Sequence, residues 1–367
     1  SYKTTKDVFE KELHSYTITN AIDDGNVLRF HIDYFKPDDT HIAAKADTKI
    51  SKRKIVEAIL SKHDAATYSR RYNAIFATAS INEAIEYYGL FNAVQKEYLD
   101  LDGGFIPLNI SCVFSPPAEG NKDVKQLQED LVQEKEDNKQ EPDKKKEALR
   151  RIIDDYNSKY KTNHTINDFD LYYQDVQKRI KDQQYPNADY PHENKIDIVI
   201  VVDQLLTGFD APKMNTLYVD RTLKDALLIQ AYSRTNRIAD NQGKPWGRIV
   251  NYRWPTKNEE LMNRALSIYA NKASADVQET LVDTKKLVDA GVLAKSFKEQ
   301  FEEVKHVVNQ LADITDTFTE VPASEAKQEE MFNLMRTYSS GMSKLKQYDP
   351  ETVNGEGIGF DYDNPDE

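Results

Sequence analysis

A chain of 367 residues, 39% hydrophobic and 30% charged, is long enough for two or three domains and too rich in apolar residues for a disordered polymer. Its formal charge of −13 excludes a uniformly basic nucleic-acid coat while leaving room for a local cationic groove. No apolar run approaches the ~20 residues of a membrane span, so no membrane partner is expected, and the single cysteine, Cys112, excludes an internal disulfide and fits a reducing cytoplasm.

The chain opens Ser1, Tyr2, Lys3, without an initiator Met or a signal-peptide pattern, which reads as a piece of something longer. Residues 1–45 read as a lead-in: Asp24, Gly25 and Asn26 mark a turn, and the alternation over 27–35 indicates a strand. Residues 49–71 have a helical pattern, and residues 72–79 form a compact β-rich run. Ile81, Ile85, Tyr88, Phe91 and Val94 then follow at helical spacing, which makes a β-then-α unit. Residues 105–114 form a second buried-strand candidate between Gly103-Gly104 and Pro116-Pro117. From 118 to 194 the composition shifts to Lys, Glu, Asp and Gln with sparse apolar residues, the signature of a helical insertion with a solvated face.

Strand patterns resume at 195–202, 215–220 and 247–252, with a helix expected over 223–238. Strands alternating with helices imply an α/β fold with a doubly wound, mostly parallel sheet over 46–255. Residues 256–347 read as an all-α C-terminal region. There Phe297, Phe301, Val304, Val308 and Leu311, and Met331, Met335, Tyr338, Met342 and Leu345, step by threes and fours as bundle core. Residues 348–367 carry seven acidic residues and no Lys or Arg, an acidic tail.

Two strings carry chemistry. Thr207, Gly208, Phe209 and Asp210 follow the most apolar strand, at the carboxyl end where doubly wound sheets bind ligands. Gly208 permits close backbone approach, Thr207 offers a hydroxyl, and Asp210 can hold an arginine or a ribose hydroxyl. Gln230, Arg234 and Arg237 then fall on one face of the expected helix, where guanidiniums could stabilise the charge of a transferring phosphoryl group. Either string alone is equally compatible with a capped turn and a solvated arginine stripe.

The order of the two strings resembles the second RecA-like domain of superfamily 2 helicases and translocases, with TGFDAP in the place of motif V and QAYSRTNR in the place of motif VI. The run VVDQLLTGFDAPKMNTLYVDRTLKDALLIQAYSRTNRI with the following GRIVNY strand resembles the R subunit of type I restriction enzymes. So does TTKDVFEKELHSYTITNAIDDGNVLRFHIDYF, which resembles the stretch between that family's two motor domains. The resemblance implies ATP-dependent translocation along duplex DNA, coupled to cleavage by a nuclease domain of the same subunit, with methyltransferase and specificity subunits as partners and the helical end docking onto the methyltransferase core. It implies Arg234 and Arg237 as ATP-facing catalytic residues, Gln230, Asp210 and Gly208 at the nucleotide side, and Thr207 with Gly208 toward the DNA backbone. Motif IV maps to residues 75–80, with Thr78 and Ser80 as phosphate contacts. Lys224 has a family counterpart to which no role is assigned.

No Gly-x-x-x-x-Gly-Lys-Ser/Thr occurs, so ATP and Mg are expected to be held mainly by a first motor domain outside this chain, and the isolated chain is expected to be inactive. The Glu-x-Lys strings at 303–305 and 325–327 lie in an amphipathic helix and a polar segment and do not read as a nuclease, and no metal-ligand cluster is seen. Two other readings stay open: another superfamily 2 translocase or repair helicase, and a non-catalytic assembly module whose arginines would be buried in salt bridges.

Overall fold

The structure, a computed structural model, describes residues 16–35, 51–117, 136, 139–181, 192–239, 244–270 and 284–348. In chain order the elements are α1 (Ile18–Asp23), β1 (Arg29–Tyr34), α2 (Lys52–Ala66), β2 (Asn73–Thr78), α3 (Ile81–Leu101), β3 (Ile110–Val113), α4 (Pro142–Tyr160), α5 (Phe169–Ile180), β4 (Ile198–Val201), β5 (Met214–Asp220), α6 (Asp225–Tyr232), β6 (Trp246–Asn251), α7 (Pro255–Ala270), α8 (Thr284–Asp289), α9 (Phe297–Ile314) and α10 (Glu325–Leu345).

The apolar run of β4 and the apolar stretches at the middle of β2 and β5 set the centre of the sheet. Every residue of β2, β4 and β5 is buried, as strands covered by other elements on both faces require. The strand order is β1-β6-β5-β2-β4-β3, and every pairing is parallel. Register brings the carboxyl ends level: Thr78 pairs with Asp220, Ala77 with Val201, and Val219 with Asn251. The chain is thus a RecA-like α/β fold with a helical C-terminal region.

Three boundaries differ from the sequence reading. The expected lead-in supplies edge strand β1, whose Phe30 is fully buried and which pairs with β6 from Arg29↔Trp246 to Tyr34↔Asn251. The inner faces of α4 and α5, in the expected insertion, belong to the main core through Leu149, Ile153, Tyr172 and Val176, and the Tyr172 hydroxyl donates to the Cys112 carbonyl at 2.7 Å. Helix α7 also joins that core, through Met262, Ala265 and Leu266. The separate apolar cluster of the helical region begins only at α9. It joins Phe297, Val304, Leu345 and Tyr348 to Trp246 of β6.

Helices α9 and α10 form an antiparallel pair, with Val304 against Gly341 and Phe297 against Tyr348. The apolar stripe expected to be bundle core is largely covered on α9 but only in part on α10, where Met335 is half exposed; Phe332, outside that stripe, is also more than half exposed. A pair of helices covers one face of each partner, and the N-terminal half of α10 reaches past the sheet-side cluster. Of the expected acidic tail, only Tyr348 lies among the described residues.

Candidate functional site

The connection from β4 to β5 passes over the carboxyl edge of the sheet. Phe209 anchors it in the core, while Thr207, Gly208 and Asp210 are exposed. Gly208 sits at φ +66 with open space around its Cα, a conformation glycine adopts without strain.

Helix α6 ends at Tyr232, six residues short of the expected boundary. Tighter bonds replace the helical ladder: the Arg234 N–H donates to the Ala231 carbonyl at 3.1 Å and the Thr235 N–H to Tyr232 at 3.0 Å. The Thr235 hydroxyl also donates to Tyr232, at 2.8 Å. Two contacts from elsewhere in the chain hold this turn. The Leu28 N–H donates to the Asn236 carbonyl at 2.7 Å, and Gly247 of β6 lies so close that a Cβ there would be 2.3 Å from Thr235 Oγ1.

Arg234 and Arg237 therefore do not share a helical face with Gln230. They come together through the turn instead. Arg234 Nε donates to the Gln230 carbonyl at 2.9 Å, and its Nη1 donates to the Phe209 carbonyl. Arg237 Nε lies 3.1 Å from Asp210 Oδ1 as an ion pair, although its N–H is not aligned as a hydrogen bond and has no hydrogen-bond partner among the described residues. Gln230 thus enters through its backbone, and its residue is exposed. The Arg237 and Asp210 side chains are 40% and 67% exposed, which leaves both open to a ligand. Burial, and then the neighbouring Arg237 cation, lower the Arg234 pKa, while Asp210 opposes the shift. A guanidinium stays charged regardless, so two cations with one carboxylate leave an excess positive charge at this rim.

The motif IV residues are placed differently from expectation. Thr78 is fully buried, and its hydroxyl donates to the Val201 carbonyl at 3.0 Å, so it is not presented to a phosphate. The residue ends a central strand, where in-register pairing encloses it. Ser80 is the N-cap of α3 and accepts the Glu83 N–H at 3.2 Å. Lys224 is the exposed N-cap residue of α6, with no side-chain cap bond. Lys244 is buried and donates to the carbonyls of Pro212 and Met214, at 2.6 and 2.8 Å.

Sequence reasoning missed two arginines at this edge. Buried Arg221 uses Nη1 to bind the Val202 carbonyl at 2.5 Å and Asp203 Oδ1 at 2.6 Å, fixing the start of the 202–210 connection. Arg253 bridges Asp220 and Glu83, each at 3.0 Å, and the Tyr87 hydroxyl donates to the same Asp220 at 2.6 Å. Arg221 directly follows the end of β5 in VDR and Arg253 stands two residues past the end of β6 in NYR, and that position was the available signal. Among the described residues no group of three or more His, Cys, Asp or Glu side chains is placed to hold a metal ion.

An all-parallel α/β sheet with an arginine rim at its carboxyl edge places candidate ligand-binding groups where doubly wound domains bind their ligands. The family model for type I restriction enzyme subunit R domain 3 matches residues 70–254, and that for the type I restriction and modification enzyme subunit R C terminal matches 292–358. The chain belongs to the R-subunit family of type I restriction enzymes.

Curated relatives agree. The type I restriction enzyme SauCOLORF180P endonuclease subunit of Staphylococcus aureus (strain COL) is 31% identical over 377 residues, 98% of this chain and 36% of the relative. The SauMRSORF196P endonuclease subunit of strain MRSA252 is 36% identical over 266 residues, 68% of this chain and 26% of the relative. A solved chain, the ATP-dependent Type ISP restriction-modification enzyme LlaBIII bound to DNA, aligns over 93% of this chain and 19% of its own at 13% identity, with a TM-score of 0.30. This chain spans about a third of the length of the first of these relatives.

Proposed function

We propose that this chain supplies the arginine side of an ATP site and part of a duplex-DNA track to the motor of a type I restriction enzyme. One observation carries the reading: Arg234 and Arg237 reach across to Phe209 and Asp210, joining the two motif segments into one exposed rim of excess positive charge. A triphosphate fits that donor set. Arg237 and Arg234 would hold its terminal phosphate, with Asp210 and Gly208 beside it, and Gln230 acting through its carbonyl. ATP bound there supplies the phosphoryl group whose transfer drives movement. The arginines stabilise the charge spread over its oxygens, and Asp210 orients Arg237 until the nucleotide arrives. Thr207 and the open backbone of Gly208 stand on the same exposed connection, where a DNA phosphate could reach them. Thr78 drops out of the track because its hydroxyl is enclosed, and Ser80 stays only as the cap of a helix whose N-terminus favours anions.

An assembly module without catalysis would bury both arginines in salt bridges, which the 40% exposure of Arg237 weighs against. Magnesium, the phosphate-cradling loop and the nuclease belong in this reading to other parts of the subunit, in a cytoplasmic complex with methyltransferase and specificity subunits. Among the described residues no helix is long and apolar enough to cross a membrane. Partly exposed Phe332 and Met335 on α10 are offered as the surface that meets a partner subunit.

The test is ATP hydrolysis by the complete subunit on DNA. Arg234→Ala and Arg237→Ala are each expected to lower the rate by roughly 10³-fold or more, the worth of an arginine finger. Full activity in either variant would remove that residue from the assignment. The isolated chain is expected to show no turnover, and measurable hydrolysis by it would overturn the half-site reading.

A further inference from the structure

We infer that the C-terminal end of α5 belongs to the duplex-DNA track, with Lys181 and Lys178 as contacts to the phosphate backbone. This role rests on the proposed DNA track at Thr207 and Gly208, and extends that track onto a helix of the 118–194 segment.

The end of α5 is anchored by its own neighbours. Ile180 is buried, and Arg179 before it donates from Nε to Asp175 and from Nη1 to the Asn194 carbonyl, each at 3.2 Å. Lys181 is the C-cap, and its backbone N–H donates to the Gln177 carbonyl at 3.0 Å. From this fixed point its ammonium reaches over the Phe209 ring, 5.2 Å from the ring centre. Arg234 donates to the Phe209 carbonyl, so cations from two elements converge on one residue of the 202–210 connection.

Lys181 differs from the other cations on this connection in what it leaves available. Arg221 is engaged with the Val202 carbonyl and Asp203, Arg234 with two carbonyls, and Arg237 with Asp210. Among the described residues Lys181 meets no carboxylate, and its contact with a ring face leaves all three ammonium N–H donors open. Lys178, in the last turn of α5, is exposed and also makes no ion pair among the described residues. Three residues apart, the two lysines are neighbours on the helix surface. Asp175, the carboxylate closest to them along α5, is already taken by Arg179 and the Tyr156 hydroxyl.

On a chain of net charge −13, such a group of open cations is a local exception that favours a polyanion. The rigid forks of the arginines suit one terminal phosphate, whereas lysine is a compact charge on a flexible stem, able to follow the spaced phosphates of a duplex. A cation at a helix C-terminus also balances the helix dipole, a role that needs no ligand. Salt dependence separates the two roles, because only a phosphate contact releases counterions from DNA.

Binding of the complete subunit to a labelled duplex of random sequence, followed by fluorescence anisotropy over a series of salt concentrations, tests this role. Lys181→Met keeps a polarisable apolar side chain on Phe209 and removes the charge. It is expected to weaken binding several-fold and to flatten the slope of log affinity against log salt by about 0.9, and the Lys178→Met, Lys181→Met double variant by about twice that. Lys181→Arg is expected to keep the parent slope. In DNA-dependent ATP turnover, the DNA concentration that gives half the maximal rate should rise several-fold in the double variant, while the ATP concentration that does so holds. Arg234→Ala, read by turnover at saturating DNA, tests the arginine side separately, so either assignment can fail alone. An unchanged salt slope in the double variant, with thermal melting showing an intact fold, would overturn the DNA role and leave the lysines as helix caps. A raised ATP requirement with unaltered DNA binding would overturn it in favour of a nucleotide contact.

Discussion

Two arginine–carboxylate groupings stand at the carboxyl edge of the same sheet, and they differ in everything except their chemistry. In the inner one, the Arg253 side chain is 13% exposed and bridges Glu83 and Asp220, which are 17% and 4% exposed, with Tyr87 closing the group. In the outer one, Asp210 is largely in solvent and Arg237 is partly exposed; they meet at one ion-pair contact, and the enclosed Arg237 Nε–H has no hydrogen-bond partner among the described residues. The inner group is saturated by its own neighbours and fastens β5 and the segment after β6 to α3. The outer group has unspent charge and can respond to a ligand. Burial and partner count thus separate a fastening from a candidate site where residue type cannot.

The comparison predicts its largest stability effect inside. Arg253→Met leaves the enclosed Asp220 without its cation and Glu83 with only Lys52 at 3.8 Å, and should cost about 3 kcal/mol or more by chemical denaturation. That cost should depend on pH. The Asp220 pKa is raised from its ordinary 3.8, first because burial disfavours the charged form, against lowering by Tyr87 and Arg253. An acid with a raised folded-state pKa binds more protons folded than unfolded, so its contribution is full below the unfolded value and is lost as pH rises through the folded one. Removing Arg253 takes away an opposing influence and extends that window upward. The deficit of the variant should therefore be smaller near pH 5 than near pH 7, and a deficit that grew on acidification would contradict this account of the inner group.

Next in size is Gly247→Ala. The added Cβ would meet Thr235 Oγ1 at 2.3 Å and the Thr235 carbonyl carbon at 2.8 Å. Relief requires the 233–237 turn to move, at a cost of about 1–3 kcal/mol, the usual range for overpacking. Because the same turn carries Arg234 and Arg237, this variant should lose stability and nucleotide response together. Loss of stability with an intact response would show that the arginines tolerate displacement.

Much of the sheet was legible in advance because β4 is a continuous apolar run and β2 and β5 carry apolar stretches at their centres, a pattern that burial on both faces imposes on a sequence. The alternation in β1 was legible as a strand. Its place was not, because pairing Arg29 with Trp246 is a long-range event that local periodicity does not encode. The end of α6 was missed for a similar reason. The QAYSRTNR string has a helical period, but Thr235 and the bare backbone of Gly247 offer the chain a better set of contacts once β6 is in place. Thr78 and Ser80 looked equivalent as hydroxyl residues after a strand. Register with Asp220 encloses the first, and the turn into α3 makes the second a cap. Of the outer site, the association of Arg234, Arg237 and Asp210 followed from the motif order, whereas the route by which they meet depended on tertiary contacts.

Ser80→Ala tests the boundary between the two groupings. Losing the hydroxyl that accepts the Glu83 N–H should cost about 1 kcal/mol, the usual worth of an N-cap. Glu83 is also one of the carboxylates held by Arg253, so fraying of the first turn of α3 would loosen the inner group. A double-mutant cycle of Ser80→Ala with Arg253→Met should then show coupling of about 0.5 kcal/mol or more, and strict additivity would mean that the cap and the ion pair act independently.

The smallest expected stability change is the most discriminating. Arg237→Ala removes a partly exposed guanidinium and one ion pair to an exposed carboxylate, so unfolding of this chain should shift by no more than about 0.5 kcal/mol. Asp210 then stands alone in solvent, where its charge is hydrated and costs nothing to leave unpaired. A much larger loss would mean that Arg237 is a fastening like Arg253, and the distinction between saturated and open arginines would collapse at the residue on which it matters most. A negligible loss, combined with a large loss of ATP turnover in the complete subunit, is the pattern expected of a group kept for a ligand, because only a group idle in the free fold can be removed without disturbing it.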